Sequence, residues 1–143
     1  MSPELEAKLF EKYPKMFINH DKTPQQSCLA FGIETNDGWY ELIDMLCENI
    51  QQLIDASEKN GSPSIPQVIV DQVKEKFATL RFYYHGGNET IRGMVRFAES
   101  MSSIICETCG NRGVLRGGGG WLVTACDAHS NGKLPFGEYK HQE

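Results

Sequence analysis

No apolar run in these 143 residues approaches the ~20 that a membrane-spanning helix needs. The first residues, Met1-Ser2-Pro3-Glu4, have neither the basic start nor the apolar core of a signal peptide, so the expected compartment is the cytoplasm. Positive charge is in short supply. Fourteen Lys and Arg stand against nineteen Asp and Glu, a net charge of −5. A chain of that sign is repelled by nucleic acid at long range, so a nucleic-acid role would need a local basic face. The deficit lies at one end: residues 1–60 carry five Lys/Arg against eleven Asp/Glu, residues 61–87 three against two, and residues 88–143 six against six. Cysteines number five, an odd count, and Cys28 and Cys47 lie far from each other and from the rest. That arrangement argues for metal ligation and free thiols over a disulfide framework. Internal repeats are absent. The one low-complexity piece is Gly117–Gly120, and because Trp121 follows it instead of a Lys-Ser/Thr pair, it is no phosphate loop. The 40% hydrophobic and 23% charged fractions suit one folded domain, or one domain with a metal-clamped appendage.

What is present is concentrated between Cys106 and His129, C-E-T-C-G-N-R-G-V-L-R-G-G-G-G-W-L-V-T-A-C-D-A-H. Cys106 and Cys109 form a C-x-x-C pair, and Cys126 and His129 a C-x-x-H pair. The residues between can run out and back as a hairpin. Three thiolates and an imidazole are a full tetrahedral set for Zn²⁺. With four protein ligands no coordination position stays open for substrate, so the expected ion is structural. Gly110, just after the second thiol, supplies the positive φ such a knuckle often needs.

Taken in order, Ser2-Pro3-Glu4 reads as a helix start, with Leu5, Leu9 and Tyr13 on one face and Pro14 as the stop. Met16, Phe17 and Ile18 are expected to tuck a connector against the core. Residues 27–34 alternate, which predicts a strand with Leu29, Phe31 and Ile33 on one side. Trp39, Leu42, Ile43, Leu46, Ile50, Leu53 and Ile54 form the buried stripe of a long helix over 38–59. Its acidic back, with Glu41, Asp44, Glu48 and Asp55, reads as a solvated surface, or else as a decoy for a basic partner. Residues 67–77 and 79–84 predict a hairpin turning near Ala78, with Lys74, Lys76 and Arg81 sharing its exposed side. Ile91, Met94, Val95, Ala98, Met101 and Ile105 mark a second helix over 89–105 that runs into Cys106. In the tail, Leu134, Phe136 and Tyr139 are available to pack back. The expected fold is α+β: a small antiparallel sheet of three or four strands packed on two long helices. The expected division is a core over 1–105 and a zinc-binding module over 106–143, of zinc-ribbon or treble-clef type, packed on the core.

Competing chemistries fit poorly. A zinc deaminase needs H-x-E ahead of P-C-x-x-C, whereas the chain's H-x-E is His141-Gln142-Glu143, behind both pairs, and no Pro precedes Cys106. A ββα-metal nuclease would need a second constellation, and His129 is already committed. No spacing joins His20 or His85 to Cys28 or Cys47 as a nucleophilic pair, and Cys47 reads as a buried inert thiol. Gly117–Gly120 reads as a hairpin tip, or as a finger with Trp121 as its anchor. Arg92, Arg96, Arg112 and Arg116 form either a basic face or ordinary solubilising charge paired with Glu89, Glu99 and Glu107.

Four segments, G-W-Y-E-L-I-D-M-L-C (38–47), V-K-E-K-F-A-T-L-R-F-Y (73–83), C-E-T-C-G (106–110) and G-G-W-L-V-T-A-C-D-A-H (119–129), resemble a family of small uncharacterised proteins of bacteria, prophages and phages with a C-terminal C-x-x-C…C-x-x-H zinc module. The family typically carries glycines where this chain has Ala78-Thr79. The resemblance brings no catalytic residues. It implies a mobile-element setting, action by binding a host protein in the host cytoplasm, and a role such as host-defence antagonism. The functional expectation is therefore a non-enzymatic, zinc-stabilised protein-binding module without a membrane partner. A nucleic-acid-binding accessory or regulatory protein using the zinc module is the alternative. The expected contact surface is the 112–123 hairpin, with Arg112 and Arg116 along one side and Trp121 as anchor. The competing account folds Trp121 back on the 89–105 helix as a structural residue.

Overall fold

The computed structural model describes residues 1–61 and 63–137. It is α+β, with three helices and two small three-stranded sheets. The packing expected of Tyr139 lies outside the described residues.

Helix α1 spans Pro3–Lys12, with Pro3 in its first turn, where a missing N–H costs nothing. Ser2 takes the extended cap conformation, but its side chain makes no capping bond. Leu9 and Tyr13 are buried, and the Tyr13 hydroxyl donates to Asp44 Oδ1 at 2.5 Å, tying α1 to the next helix. In the connector that follows, Met16 and Phe17 enter the core while Ile18 stays exposed.

The alternation over 27–34 does not make a long strand. Ser27 Oγ accepts the Leu29 N–H at 3.1 Å and starts a 3₁₀ turn over Cys28–Phe31. Gly32, at φ +72°, then breaks it. Leu29 and Ile33 are buried as expected, but Phe31 faces solvent. Only β1, Ile33–Glu34, is strand.

A 3₁₀ turn over Asp37–Trp39 leads into α2, Tyr40–Lys59. Ile43, Leu46, Ile50 and Ile54 of the expected stripe are buried, together with Trp39 at its head. Cys47 is fully buried, and burial, with Asp44 adding to it, drives its thiol far above the ordinary range. It is inert packing.

Strands β2 (Ile69–Lys76) and β3 (Thr79–His85) form the expected hairpin, and Lys74 stands directly opposite Arg81. Its two-residue loop is Phe77-Ala78, both at positive φ (52° and 65°), the handedness that matches strand twist. β1 adds to β2 in parallel, giving the order β1-β2-β3. The sheet is therefore mixed where an all-antiparallel one was expected. The chain between β1 and β2 holds α2, and that long excursion lets it return to pair in parallel.

Asn88 Oδ1 accepts the Ile91 N–H at 3.0 Å and caps α3, Glu89–Met101. α3 lies against β3, and α2 lies against α3. The free edge of β3 is closed by side chains at the end of α3. Leu80 N–H donates to Ser102 Oγ at 2.8 Å, and Phe82 N–H to Glu99 Oε2 at 3.2 Å. These bonds occupy donors that would otherwise template another strand. Val70, Val73, Leu80, Phe82, Ile91 and Val95 complete the core. No helix among the described residues is long and apolar enough to cross a membrane.

Beyond α3 the chain makes a short turn over Ser102–Ile104, then strands β4 (Val114–Gly117), β5 (Val123–Ala125) and β6 (Leu134–Pro135), in the order β5-β4-β6. The hairpin expected as a bare two-stranded ribbon thus gains a third strand. Leu134 and Phe136 remain exposed.

Candidate metal centre

Cys106, Cys109, Cys126 and His129 converge, with one ligand atom from each all within 4.8 Å of one another. Cys109 Sγ and Cys126 Sγ are 3.7 Å apart, Cys106 Sγ and His129 Nδ1 3.8 Å, and Cys126 Sγ and His129 Nδ1 3.2 Å. A tetrahedral ion with bonds of about 2.3 Å places its ligand atoms roughly 3.8 Å apart. The four residues fit a metal ion by number, chemistry and spacing.

The first knuckle closes through the Gly110 N–H, which donates to Cys106 O at 2.8 Å, with Gly110 at φ +80°. A second layer braces it from the core. Gly38 N–H donates to Glu107 O at 2.7 Å, Asn36 N–H to Glu107 Oε1 at 3.1 Å, and Trp39 Nε1–H to Ile105 O at 2.9 Å. A Cβ on Gly38 would stand 2.5 Å from Glu107 O and closer still to Cys106 O. Glycine is therefore required there for backbone to meet backbone. The stretch that starts α2 is the seat of the Cys106–Cys109 knuckle. G-W at 38–39 was visible in the sequence as a helix start, but nothing local pointed to residues 105–107.

The second knuckle is a 3₁₀ turn over Asp127–His129, in which His129 N–H donates to Cys126 O at 3.2 Å. Arg116 holds it in place. Its Nε donates to Ala125 O at 2.9 Å, its Nη1 to Lys133 O at 3.2 Å and its Nη2 to Asp127 Oδ1 at 2.6 Å. Arg116 is only 5% exposed. The sequence reading put it on the open side of the hairpin. The structure turns it inward, because β5, the second knuckle and the turn before β6 offer three acceptors around one planar fork. Arg112 remains exposed, as does Trp121 at 69%. Trp121 does not fold back on α3 as a buried core residue. The loop below it is held by Lys133, whose Nζ donates to Gly118 O at 2.6 Å and Trp121 O at 2.7 Å.

The thiols are not equivalent. Burial pushes the Cys106 thiol up, but the backbone N–H groups of Cys126, Cys109 and Thr108 outweigh it, and the group is pulled down to about 6. At Cys109 the Asn111 N–H pulls down, while burial and the neighbouring Cys106 and Cys126 sulfurs raise it above the ordinary thiol value. Backbone N–H groups aimed at the Cys106 sulfur favour its thiolate, the form that a metal site needs.

Between the two hairpins Thr124 Oγ1–H, buried, donates to Ala78 O at 2.7 Å, across 46 residues of sequence. No family model, curated protein or solved structure matches the chain.

Proposed function

We propose that this chain is a zinc-stabilised protein-binding module without catalytic chemistry of its own, contacting its partner through the 112–123 hairpin. Three thiolates and an imidazole at tetrahedral spacing favour Zn²⁺ over harder cations. All four positions are filled by protein, which is the mark of a structural site. The module is closer to a ribbon than to a treble clef, since His129 is followed by a turn and the short β6 where a treble clef would place a helix.

The observation that carries the binding reading is Trp121, exposed at 69% on a loop whose base is pinned by the metal knuckles and by Lys133. An exposed Trp on a pre-ordered frame suits an interface anchor, because the frame's ordering cost is already met in folding. Arg112 is exposed at the other end of the hairpin, where it bridges to Ile105. The nucleic-acid alternative is weakened by the burial of Arg116, which removes one of the four arginines, with Arg92, Arg96 and Arg112, expected to form its basic face. The phage or prophage setting and the host target rest on the resemblance alone.

Metal analysis of protein purified without chelator is expected to give one zinc per chain, and a near-zero value overturns the zinc assignment. Trp121→Ala is expected to keep its zinc and its melting temperature while losing the host protein that co-purifies with the unmodified chain. Recovery of that protein at an undiminished level, or a stability loss of the ~3–5 kcal/mol typical of an emptied buried Trp site, overturns the hairpin reading.

A further inference from the structure

Phe77 sits where a large side chain is unwelcome. It occupies the first position of the β2–β3 loop at φ +52°, a left-handed conformation that glycine and asparagine take readily and bulky L residues resist. Its ring gains little from folding, being 70% exposed. The backbone beneath it is locked from two sides. Ala78 N–H donates to Glu75 Oε1 at 2.7 Å, and Ala78 O accepts the Thr124 hydroxyl at 2.7 Å. A strained turn that keeps an exposed aromatic, and is clamped so as to present it, points to recognition more than to folding.

Phe77 faces a groove of about 400 Å³ whose other walls include Trp121, Leu122, Lys74 and Lys76. Two exposed aromatics and two cations therefore meet in one concavity, built half from the core hairpin and half from the metal module. Lys76 Nζ lies 5.7 Å from the Phe77 ring centroid, and Lys74 stands across the ladder from Arg81. None of these three cations makes an ion pair among the described residues. Two carboxylates are close by. Glu75, on the groove wall, has one oxygen engaged by Ala78, and Glu34, beside Lys74 on β1, accepts from Gln72 Nε2 at 3.3 Å.

We infer that this groove receives a short acidic segment of a partner protein, one aromatic or large apolar side chain seating between Phe77 and Trp121 and its flanking carboxylates meeting Lys74 and Lys76. The inference rests on the hairpin reading above and adds a second wall to it. The volume suits one or two side chains. A single-stranded nucleic acid would stack on the same rings, but its backbone needs a track of cations. Here the lysines are local, and residues 1–60 carry eleven acids against five bases. A peptide with a few charges, acting within a Debye length of about 10 Å, avoids most of that repulsion. The Thr124–Ala78 bond already joins the two walls, so binding does not have to order them.

The test selects binders to the full-length, metal-loaded protein from a random-peptide display library. A fluorescein-labelled consensus peptide and a labelled short oligothymidylate are then titrated by fluorescence anisotropy, a readout that the Trp121→Ala variant leaves intact. The expected consensus is an aromatic or large apolar residue flanked by Asp and Glu. Phe77→Gly removes the ring and relieves the turn, so its unfolding midpoint should stay level or rise while peptide affinity falls roughly tenfold or more. Lys74→Ala and Lys76→Ala should weaken binding and flatten its salt dependence. A basic or chargeless consensus, or no selectable sequence, overturns the inference. So does tight, steeply salt-dependent oligothymidylate binding in place of peptide binding. If Trp121→Ala loses the peptide while Phe77→Gly holds it unchanged, the groove is wrong and the hairpin reading stands. If neither variant loses it, both fall.

Discussion

The two hairpins of this protein are built to the same plan and held by different physics. In β2–β3 the inward residues Val70, Val73, Leu80 and Phe82 are buried, and apolar area removed from water holds the strands. In β4–β5 the buried positions are Arg116, Gly117, Thr124 and Ala125, which have almost no apolar surface to offer. A cluster of three cysteines and a histidine able to hold a metal ion, a three-acceptor arginine and one threonine hydroxyl stand in for a core. The turns differ in the same sense. The core hairpin tolerates a strained two-residue loop because its strands are secure, whereas the metal hairpin ends in glycines that Lys133 has to hold. A segment too small to bury a core can keep a defined shape if ligation and satisfied polar groups replace burial.

The largest break in this comparison should come from removing the metal. Structural zinc contributes apparent binding free energies of about 10–16 kcal/mol in finger peptides, far more than the few apolar side chains of β4–β5 can supply. Chelation, or Cys106→Ser, is expected to abolish amide-exchange protection across 106–137 while β2 and β3 stay protected. Equal loss in both hairpins would mean that the core depends on the metal as well. Arg116→Met comes next. It keeps the aliphatic volume but leaves Ala125 O, Lys133 O and Asp127 without their donor. A cost of about 3 kcal/mol in the denaturant midpoint is expected, with faster zinc transfer to a chelating dye. Arg116→Lys should not restore the midpoint, since an ammonium cannot serve three acceptors in the guanidinium's plane. The smallest effect is Thr124→Val, which preserves shape and deletes a hydroxyl that bridges the hairpins. About 1 kcal/mol is expected. Combined with Phe77→Gly the two changes should be non-additive, because Thr124 holds the turn that Phe77 strains.

Much of this was readable in the residues. The α2 and α3 stripes followed helical spacing, and most of their residues went inside. The hairpin turned at Phe77-Ala78, next to where the β-rich runs met. The four Cys and His side chains converge as two x-x spacings joined by a hairpin imply, at distances that could hold a metal ion. The misreading at 27–34 has a physical cause. Alternation of apolar residues specifies a strand only if a neighbour pairs with it, and Ser27 offered Leu29 a closer partner.

What the sequence determined by itself was therefore local: periodicity, turn chemistry, the paired Cys and His spacings and the acidity of the first sixty residues. Each depends on residues a few positions apart, whose geometry the backbone dictates. Only the tertiary structure decided that Arg116 turns inward, that Gly38 must lack a Cβ to seat the knuckle, that Ser102 and Glu99 close the edge of β3, and that Thr124 reaches Ala78. These are choices of hydrogen-bond partner and close approach. A donor takes whichever acceptor the folded chain leaves within about 3 Å once water is excluded, and no spacing along the sequence encodes which one that will be.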